Sequence, residues 1–152
     1  MKKLALMITI LSFWGCASSD DETDYLREFF ENQHITFPKE LKHCVIIPEG
    51  GCPGCIASGM WFISSNDSAF SINQKENKVI FTKVNSFKLL KRNLRGVSID
   101  SLYSLVDKDN RYNVDKDYNI YPIIIYLSNG EITSVGIQSP NTDAFGQLIK
   151  DL

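Results

Sequence analysis

Histidine, cysteine and long apolar stretches are scarce in this 152-residue chain, which has two histidines and four cysteines. No arrangement of serine, histidine and aspartate indicates a hydrolytic triad. One pair of cysteines has the C-x-x-C spacing, so a zinc knuckle built from two such pairs has no support. The apolar run from Leu4 to Trp14 is shorter than the roughly 20 residues of a membrane-spanning helix. The chain also lacks internal repeats, which indicates one compact domain.

The N-terminus has the features of a secretory signal over residues 1–15. Lys2 and Lys3 precede the apolar run, and Gly15 stands directly before Cys16. This junction resembles the lipobox of bacterial lipoproteins, which implies that Cys16 is acylated and becomes the new N-terminus. An uncleaved membrane anchor is the alternative. We therefore expect a lipid-anchored protein of the bacterial cell envelope. It would be attached to the outer membrane, and the protein would face either the periplasm or the cell surface.

The mature chain is expected to be mildly acidic. Removal of residues 1–15 takes away two lysines and no acid, which leaves 14 basic and 18 acidic side chains and a formal charge of −4. No basic surface for nucleic acid is implied. Residues 16–24 are expected to form an acidic tether and residues 25–152 a single, monomeric domain. We expect no cofactor and no metal.

Cys52-Pro53-Gly54-Cys55 follows an apolar run and precedes a helix-like segment. A cysteine at the first turn of a helix lies among unpaired backbone N–H groups, at the positive end of the helix dipole, which favours its thiolate. Pro53 suits the first helical position, because its missing N–H would have no partner there. The two thiols can form a disulfide with little backbone movement. The pattern indicates redox chemistry, but an exported protein could also keep the pair as a static disulfide.

Hydrophobic periodicity predicts the order strand, helix, strand, helix, strand, hairpin, helix, after a short N-terminal helix capped by Asp24. The predicted strands are 41–47, 78–84, 102–106, 123–127 and 131–137. The predicted helices are 24–32, 53–64, a segment from Asn85 or Ser86 that Gly96 ends, and a C-terminal one capped by Thr142 or Asp143. Asn129-Gly130 is a strong signal for a tight hairpin.

This order, with C-x-x-C after the first strand and a proline before the hairpin, resembles the thioredoxin fold. The resemblance covers residues 41–152 and rests on Cys52-Pro53-Gly54-Cys55, Tyr121-Pro122 and the Asn129-Gly130 hairpin. It implies an α/β protein in which helices flank a central mixed sheet of four to five strands. Together with the lipoprotein signal, the chain resembles the extracytoplasmic thiol–disulfide oxidoreductases of the TlpA and ResA type.

The resemblance also implies roles for individual residues. Cys52 would be the attacking thiolate and Cys55 the resolving thiol, with Pro53-Gly54 tuning the redox potential. Pro122 matches a proline that is cis in the family and lies against the C-x-x-C, and the Tyr121 backbone would pair with a substrate strand. The expected activity is the reduction of protein disulfides, with electrons from an envelope redox partner. The oxidase and isomerase directions remain open.

The chain departs from the family pattern around the cysteine pair. Gly51 stands where a tryptophan is common, and residues 49–51 predict a loose approach loop. Ile46 and Ser58 stand where relatives carry an acid, so proton removal from Cys55 would rely on water or on Glu49. These departures support a second hypothesis, a non-enzymatic thioredoxin-like binding module whose disulfide is structural.

Cys44 has two interpretations. It could join His43, Cys52 and Cys55 in a zinc site, but adjacent residues of a strand point to opposite faces. Burial in the core is therefore the prediction for Cys44.

Two groups of helical residues are predicted from pattern alone. Trp61 and Phe62 are expected to lie in the core. The next helix carries a basic stripe that is predicted to be a solvated face, with an acidic partner as the alternative. The stripe consists of Lys88, Lys91, Arg92 and Arg95.

Overall fold

The computed structural model describes residues 20–99, 102 and 104–152. The elements are α1 (Asp20–Asn32), β1 (His43–Pro48), α2 (Pro53–Ser65), α3 (Asp67–Ile72), β2 (Asn77–Thr82), α4 (Phe87–Asn93), β3 (Ser104–Val106), β4 (Ile123–Ser128), β5 (Glu131–Ile137) and α5 (Ala144–Leu148). A 3-10 helix over Lys116–Ile120 leads into β4. The predicted order of elements is confirmed, with one addition. Helix α3 was not predicted, and it packs through the fully buried Phe70.

The five strands form one sheet in the order β3-β2-β1-β4-β5. The β1–β2 and β2–β3 pairs are parallel, whereas β1–β4 and β4–β5 are antiparallel. The predicted mixed sheet flanked by helices is thus confirmed, and the architecture is compatible with a thioredoxin-like fold. Strand β1 lies at the centre, so the loop that follows it emerges from the most firmly held part of the sheet.

The centre of β1 is apolar on both sides because the sheet is covered on both faces. Val45 and Ile47 pack with α2, α3, α4 and α5 in one buried cluster. Cys44 and Ile46 point the other way, into a second cluster with Leu26 and other residues of α1. The period of two along β1 therefore assigns alternate residues to two cores, and all six strand residues are buried.

The β4–β5 hairpin turns at Asn129-Gly130, as predicted. Both residues have positive φ, 55° and 86°, which is the backbone that a two-residue hairpin turn of the primed types requires. A Cβ atom on Gly130 would lie 2.8 Å from the carbonyl oxygen of Phe37, so the turn also needs glycine for its close approach to a neighbouring segment. Asp143 caps α5 by accepting a hydrogen bond from the Gly146 N–H at 3.0 Å.

Helix α1 begins earlier than predicted. Asp20–Asp24 is helical, and Asp24, the predicted cap, lies inside the helix, where its side chain pairs with Arg27. Carboxylates in the first turn interact favourably with the positive end of the helix dipole, which accounts for the early start. Thr23 is buried, so this turn packs against the domain.

Candidate functional site

Cys52 and Cys55 form a disulfide at the start of α2, with their Cα atoms 5.4 Å apart. Cys52 is the N-cap residue, and its Sγ accepts a hydrogen bond from the Cys55 N–H at 3.4 Å. Pro53 occupies the first turn, as predicted. A sulfur atom in this position lies next to unpaired backbone N–H groups and at the positive end of the helix dipole. Both stabilise a thiolate.

The two sulfur-bearing residues differ in exposure. Cys52 is half-buried, whereas Cys55 is 6% exposed and lies inside the first turn of α2. Pro53 and Gly54, between them, are both exposed. Cys52 is therefore the more accessible of the two cysteines.

The loop before the cysteine pair is held by the segment before β4. The Cys52 N–H donates to the carbonyl oxygen of Ile120 at 3.0 Å. Gly51 has φ +147°, and a Cβ atom there would lie 2.4 Å from the same oxygen. The sequence predicted a loose approach loop, but Gly51 is instead packed against backbone. Glycine is required here because any side chain would collide with the Ile120 peptide.

The geometry of Pro122 differs from the one that the family resemblance implies. The described residues contain no cis peptide bond, so Tyr121–Pro122 is trans. Pro122 is buried against α2, where its Cγ would lie 3.3 Å from a Cβ atom added to Gly59. The Tyr121 N–H donates to the Tyr118 carbonyl oxygen at 3.1 Å. Pairing of a substrate strand with Tyr121 would therefore fall to its carbonyl group.

Glu49 joins the approach loop to the start of α4. One carboxylate oxygen, Oε2, accepts hydrogen bonds from the backbone N–H groups of Asn85 and, at 3.2 Å, of Ser86. The other oxygen, Oε1, is buried and has no hydrogen-bond partner. Ser86 caps α4 with its own side chain, which accepts from the Leu89 N–H. Glu49 thus fixes α4 beside the cysteine pair, and one of its oxygens keeps unused capacity to accept a proton or a hydrogen bond.

The positions at which family members carry an acid are filled differently. Ile46 is 2% exposed and packs in the cluster that faces α1. Ser58 is half-buried on α2. Neither position supplies a carboxylate to the cysteine pair, so the acid beside the approach loop is Glu49.

Cys44 is part of the core, as predicted. It is fully buried, and this burial raises the pKa of its thiol from 9.0 to about 12, with Lys78 acting weakly in the opposite direction. The neighbouring His43 is also buried, and its Nδ1 lies 2.7 Å from Asn77 Oδ1. Within the described residues, no three histidine, cysteine or acidic side chains come together in a group that could hold a metal ion.

A groove of about 520 Å³ runs from the approach loop along α2 to the end of α4. Its lining residues are Glu49, Gly51, Pro53, Ile56, Ala57, Met60, Trp61, Arg92, Asn93 and Arg95. Gly51 and Pro53 flank Cys52 in the sequence, so one end of the groove lies at the backbone on either side of this cysteine. We call it the α2–α4 groove.

Trp61 corrects one prediction. Phe62 is buried and stacks on Phe145, with ring centroids 4.6 Å apart, but Trp61 is 55% exposed on the wall of the α2–α4 groove. The apolar face of α2 is wider than the surface that the sheet covers, so its edge, Ala57 and Trp61, is left open. Spacing alone placed both aromatic residues in the core, and no local pattern separates an uncovered edge of the apolar face from a covered one.

Two predicted features lie outside the described residues: the signal over 1–15 with the acylated Cys16, and the N-terminal part of the tether. Among the helices that the structure does describe, none combines the length and the apolar composition needed to cross a bilayer.

Comparison with known proteins adds no assignment. Neither a protein-family model, nor a curated protein, nor a solved structure matches this chain.

Proposed function

We propose that the chain is an exported, membrane-anchored thiol–disulfide oxidoreductase that reduces protein disulfides through Cys52 and Cys55. One observation carries the proposal. The pair spans the N-terminus of α2 with Cys52 accessible at the N-cap position and Cys55 buried behind it. A nucleophile in front and a resolving thiol behind is the arrangement that two-step disulfide exchange requires.

The reaction begins with both cysteines reduced. The Cys52 thiolate attacks one sulfur of the substrate disulfide, and the other substrate sulfur leaves as a thiolate that takes up a proton. The resulting mixed disulfide is attacked at Cys52 Sγ by the Cys55 thiolate, which releases the second substrate thiol. The substrate disulfide is thereby reduced to two thiols, and the Cys52–Cys55 dithiol is oxidised to the disulfide. An envelope dithiol must then reduce the pair again.

The surroundings of the pair suit these steps. The helix N-terminus stabilises the thiolate of Cys52 as the attacking group of the first step. The hydrogen bond from the Cys52 N–H to Ile120 holds the backbone of this residue in place. The unpaired Oε1 of Glu49, in the approach loop, is a carboxylate oxygen that could accept the Cys55 proton through water.

The proposal includes attachment to the membrane through lipid on Cys16. In that setting the described domain would stand at a bilayer surface in an oxidising compartment, where disulfide-bearing substrates occur. A lipid-anchored monomer would need no further domain to stay near them.

A second candidate function is a thioredoxin-like binding module whose disulfide is structural. The apolar Ile46 favours it, because the residue at this position is buried and offers no proton acceptor. The two functions differ in what the cysteines do for the protein: a module needs the disulfide for stability, and an enzyme needs it for exchange.

A trapping experiment tests the proposed enzyme. Cys55→Ser should accumulate covalent adducts with substrate proteins through Cys52, because the thiol that resolves the mixed disulfide is gone. Cys52→Ser should accumulate none, because the remaining Cys55 is buried. Adducts are read as dithiothreitol-sensitive bands after rapid acid quenching of the cells. Equal trapping by the two variants, or by neither, would speak against the proposed reaction.

A further inference from the structure

The α2–α4 groove has one apolar and one cationic wall. Ala57 and the exposed Trp61 form the wall on α2. Arg92 and Arg95, at the end of α4 and just after it, form the other, and both are exposed. The groove is therefore amphipathic and opens beside Cys52.

The two arginines are unpaired. In the part of the chain that the structure describes, neither guanidinium has a carboxylate within ion-pair distance, since the ion pairs involve Arg27 and Lys42. Glu49 lines the same groove, but one of its oxygens receives backbone N–H groups and the other is buried. An uncompensated pair of positive charges on a chain whose net charge is negative marks a local site for a negative partner.

The backbone after α4 sets the position of Arg95. Arg95 has φ 50°, a left-handed conformation that is unfavourable for residues other than glycine and asparagine, and Gly96 follows with φ 92°. This reversal ends the helix and leaves Arg95 on the groove, on the same side as Arg92. Lys91 belongs to the same helix but lies over the Phe87 ring, 4.8 Å from its centroid, and does not line the groove.

We propose that the α2–α4 groove binds the polypeptide next to the disulfide to be reduced, and that it selects substrates with an acidic residue and an apolar residue close to the attacked cysteine. The acidic side chain would lie between Arg92 and Arg95, and the apolar one against Trp61. This specificity rests on the proposed exchange at Cys52. A volume of about 520 Å³ is in the range of sites that hold a few residues of peptide.

Three synthetic peptides test this selectivity. They carry one cysteine as a mixed disulfide with 2-thiopyridine, a neutral leaving group, and a leucine nearby; the residues flanking the cysteine are Glu, Gln or Lys. Attack by Cys52 of the reduced full-length protein releases pyridine-2-thione, whose absorbance gives the rate. The Cys52→Ser variant gives the background of the other thiols. A small uncharged pyridyl disulfide reports exchange without any peptide contact.

The Glu peptide should react about five-fold faster than the Gln peptide, and the Lys peptide more slowly than both, in line with exposed ion pairs. The preference should weaken as salt is raised. Arg92→Gln/Arg95→Gln should make the rates with the Glu and Gln peptides equal, when each rate is divided by the same variant's rate with the small uncharged disulfide. Lys88→Gln/Lys91→Gln also removes two positive charges, but outside the groove. This variant should keep the preference for the Glu peptide.

Equal rates with the three peptides, or equal loss of preference in the lysine and arginine variants, would overturn the proposed specificity while exchange itself stands. Failure of the small uncharged disulfide to react above background would instead reject the proposed function. Binding is measured separately, as a change in Trp61 fluorescence with Glu and Lys peptides that carry serine in place of cysteine; Trp61→Phe corrects for Trp14. If disulfide exchange is not observed, stronger binding of the Glu peptide than of the Lys peptide would still support the groove as a binding site. Equal binding of the two peptides would reject it.

Discussion

Reduction of the Cys52–Cys55 disulfide should lower the free energy of unfolding by about 2 kcal/mol at most. The disulfide closes a ring of four residues, since the cysteines are separated by 3 in sequence. Chain entropy assigns about 2 kcal/mol to so small a ring, because it restricts the unfolded chain only slightly. The native state should change little, since the Ile120 hydrogen bond and the Ile56 N–H bond to the Cys52 carbonyl oxygen hold the start of α2 without the S–S bond.

Urea unfolding of the oxidised and reduced protein, followed by circular dichroism, measures this difference directly. Cys52→Ser/Cys55→Ser is the control, and its stability should match that of the reduced protein with an unchanged dependence on urea concentration. By linkage, about 2 kcal/mol makes the potential of the folded couple about 40 mV more negative than that of the same pair in the unfolded chain. Titration against thiol buffers then gives the potential itself, and a value near about −270 mV would support a reductase, whereas one near about −120 mV would indicate an oxidant.

A much larger loss would refute this reasoning. If reduction cost twice the ring entropy or more, or unfolded the domain, the disulfide would be holding native packing together. The protein would then behave as the binding module with a structural disulfide, and Ile46 in the place of an acid would be consistent with it.

Two further predictions concern Gly51, which precedes the cysteine pair, and Cys44, which lies in the core. Gly51→Ala should destabilise the approach loop and slow exchange, because its Cβ would lie 2.4 Å from the Ile120 oxygen. Gly50→Ala, whose added Cβ would meet no atom within 4 Å, is the matched control, and equal rates for both variants would contradict the proposed contact. Burial raises the pKa of the Cys44 thiol from 9.0 to about 12. The free energy of unfolding should therefore fall at alkaline pH. The unfolded chain loses this proton first, so stability is complete below pH 9 and falls as the pH rises toward 12, by at most about 4 kcal/mol. Urea unfolding of wild type and Cys44→Ala should therefore show a stability gap that shrinks above pH 9, and a constant gap would contradict the assignment.

The order of elements could be predicted because it depends on local patterns. The apolar run around Val45 and the Asn129-Gly130 turn each carry their own signal, and the structure places a central strand and a hairpin there. Ser86 and Asp143 were among the predicted caps, and both accept the capping hydrogen bonds. These features need no knowledge of the rest of the chain, since period and capping are set within a few residues.

Contacts between distant segments were beyond the reach of pattern. Helix α3 is short and gives too few turns for a periodic signal, and its stability comes from burial of Phe70. Trp61 follows the same spacing as core residues, and its exposure is decided by how far the sheet and α5 extend beneath α2. The amphipathic character of the α2–α4 groove depends on α4 lying beside α2, which no local pattern contains.

Gly51 shows how a local pattern can mislead about the site itself. Adjacent glycines before the cysteine pair are typical of a flexible loop. In a flexible loop the position of Cys52 would vary. The structure gives the opposite reason for the glycine: only a residue without a side chain lets the Ile120 carbonyl reach the Cys52 N–H. The close approach fixes the backbone of Cys52, and the residue itself remains half-buried. The position of Cys52 is therefore set from both sides, by the helix that it caps and by the end of the 3-10 helix, where the Ile120 carbonyl oxygen accepts its N–H.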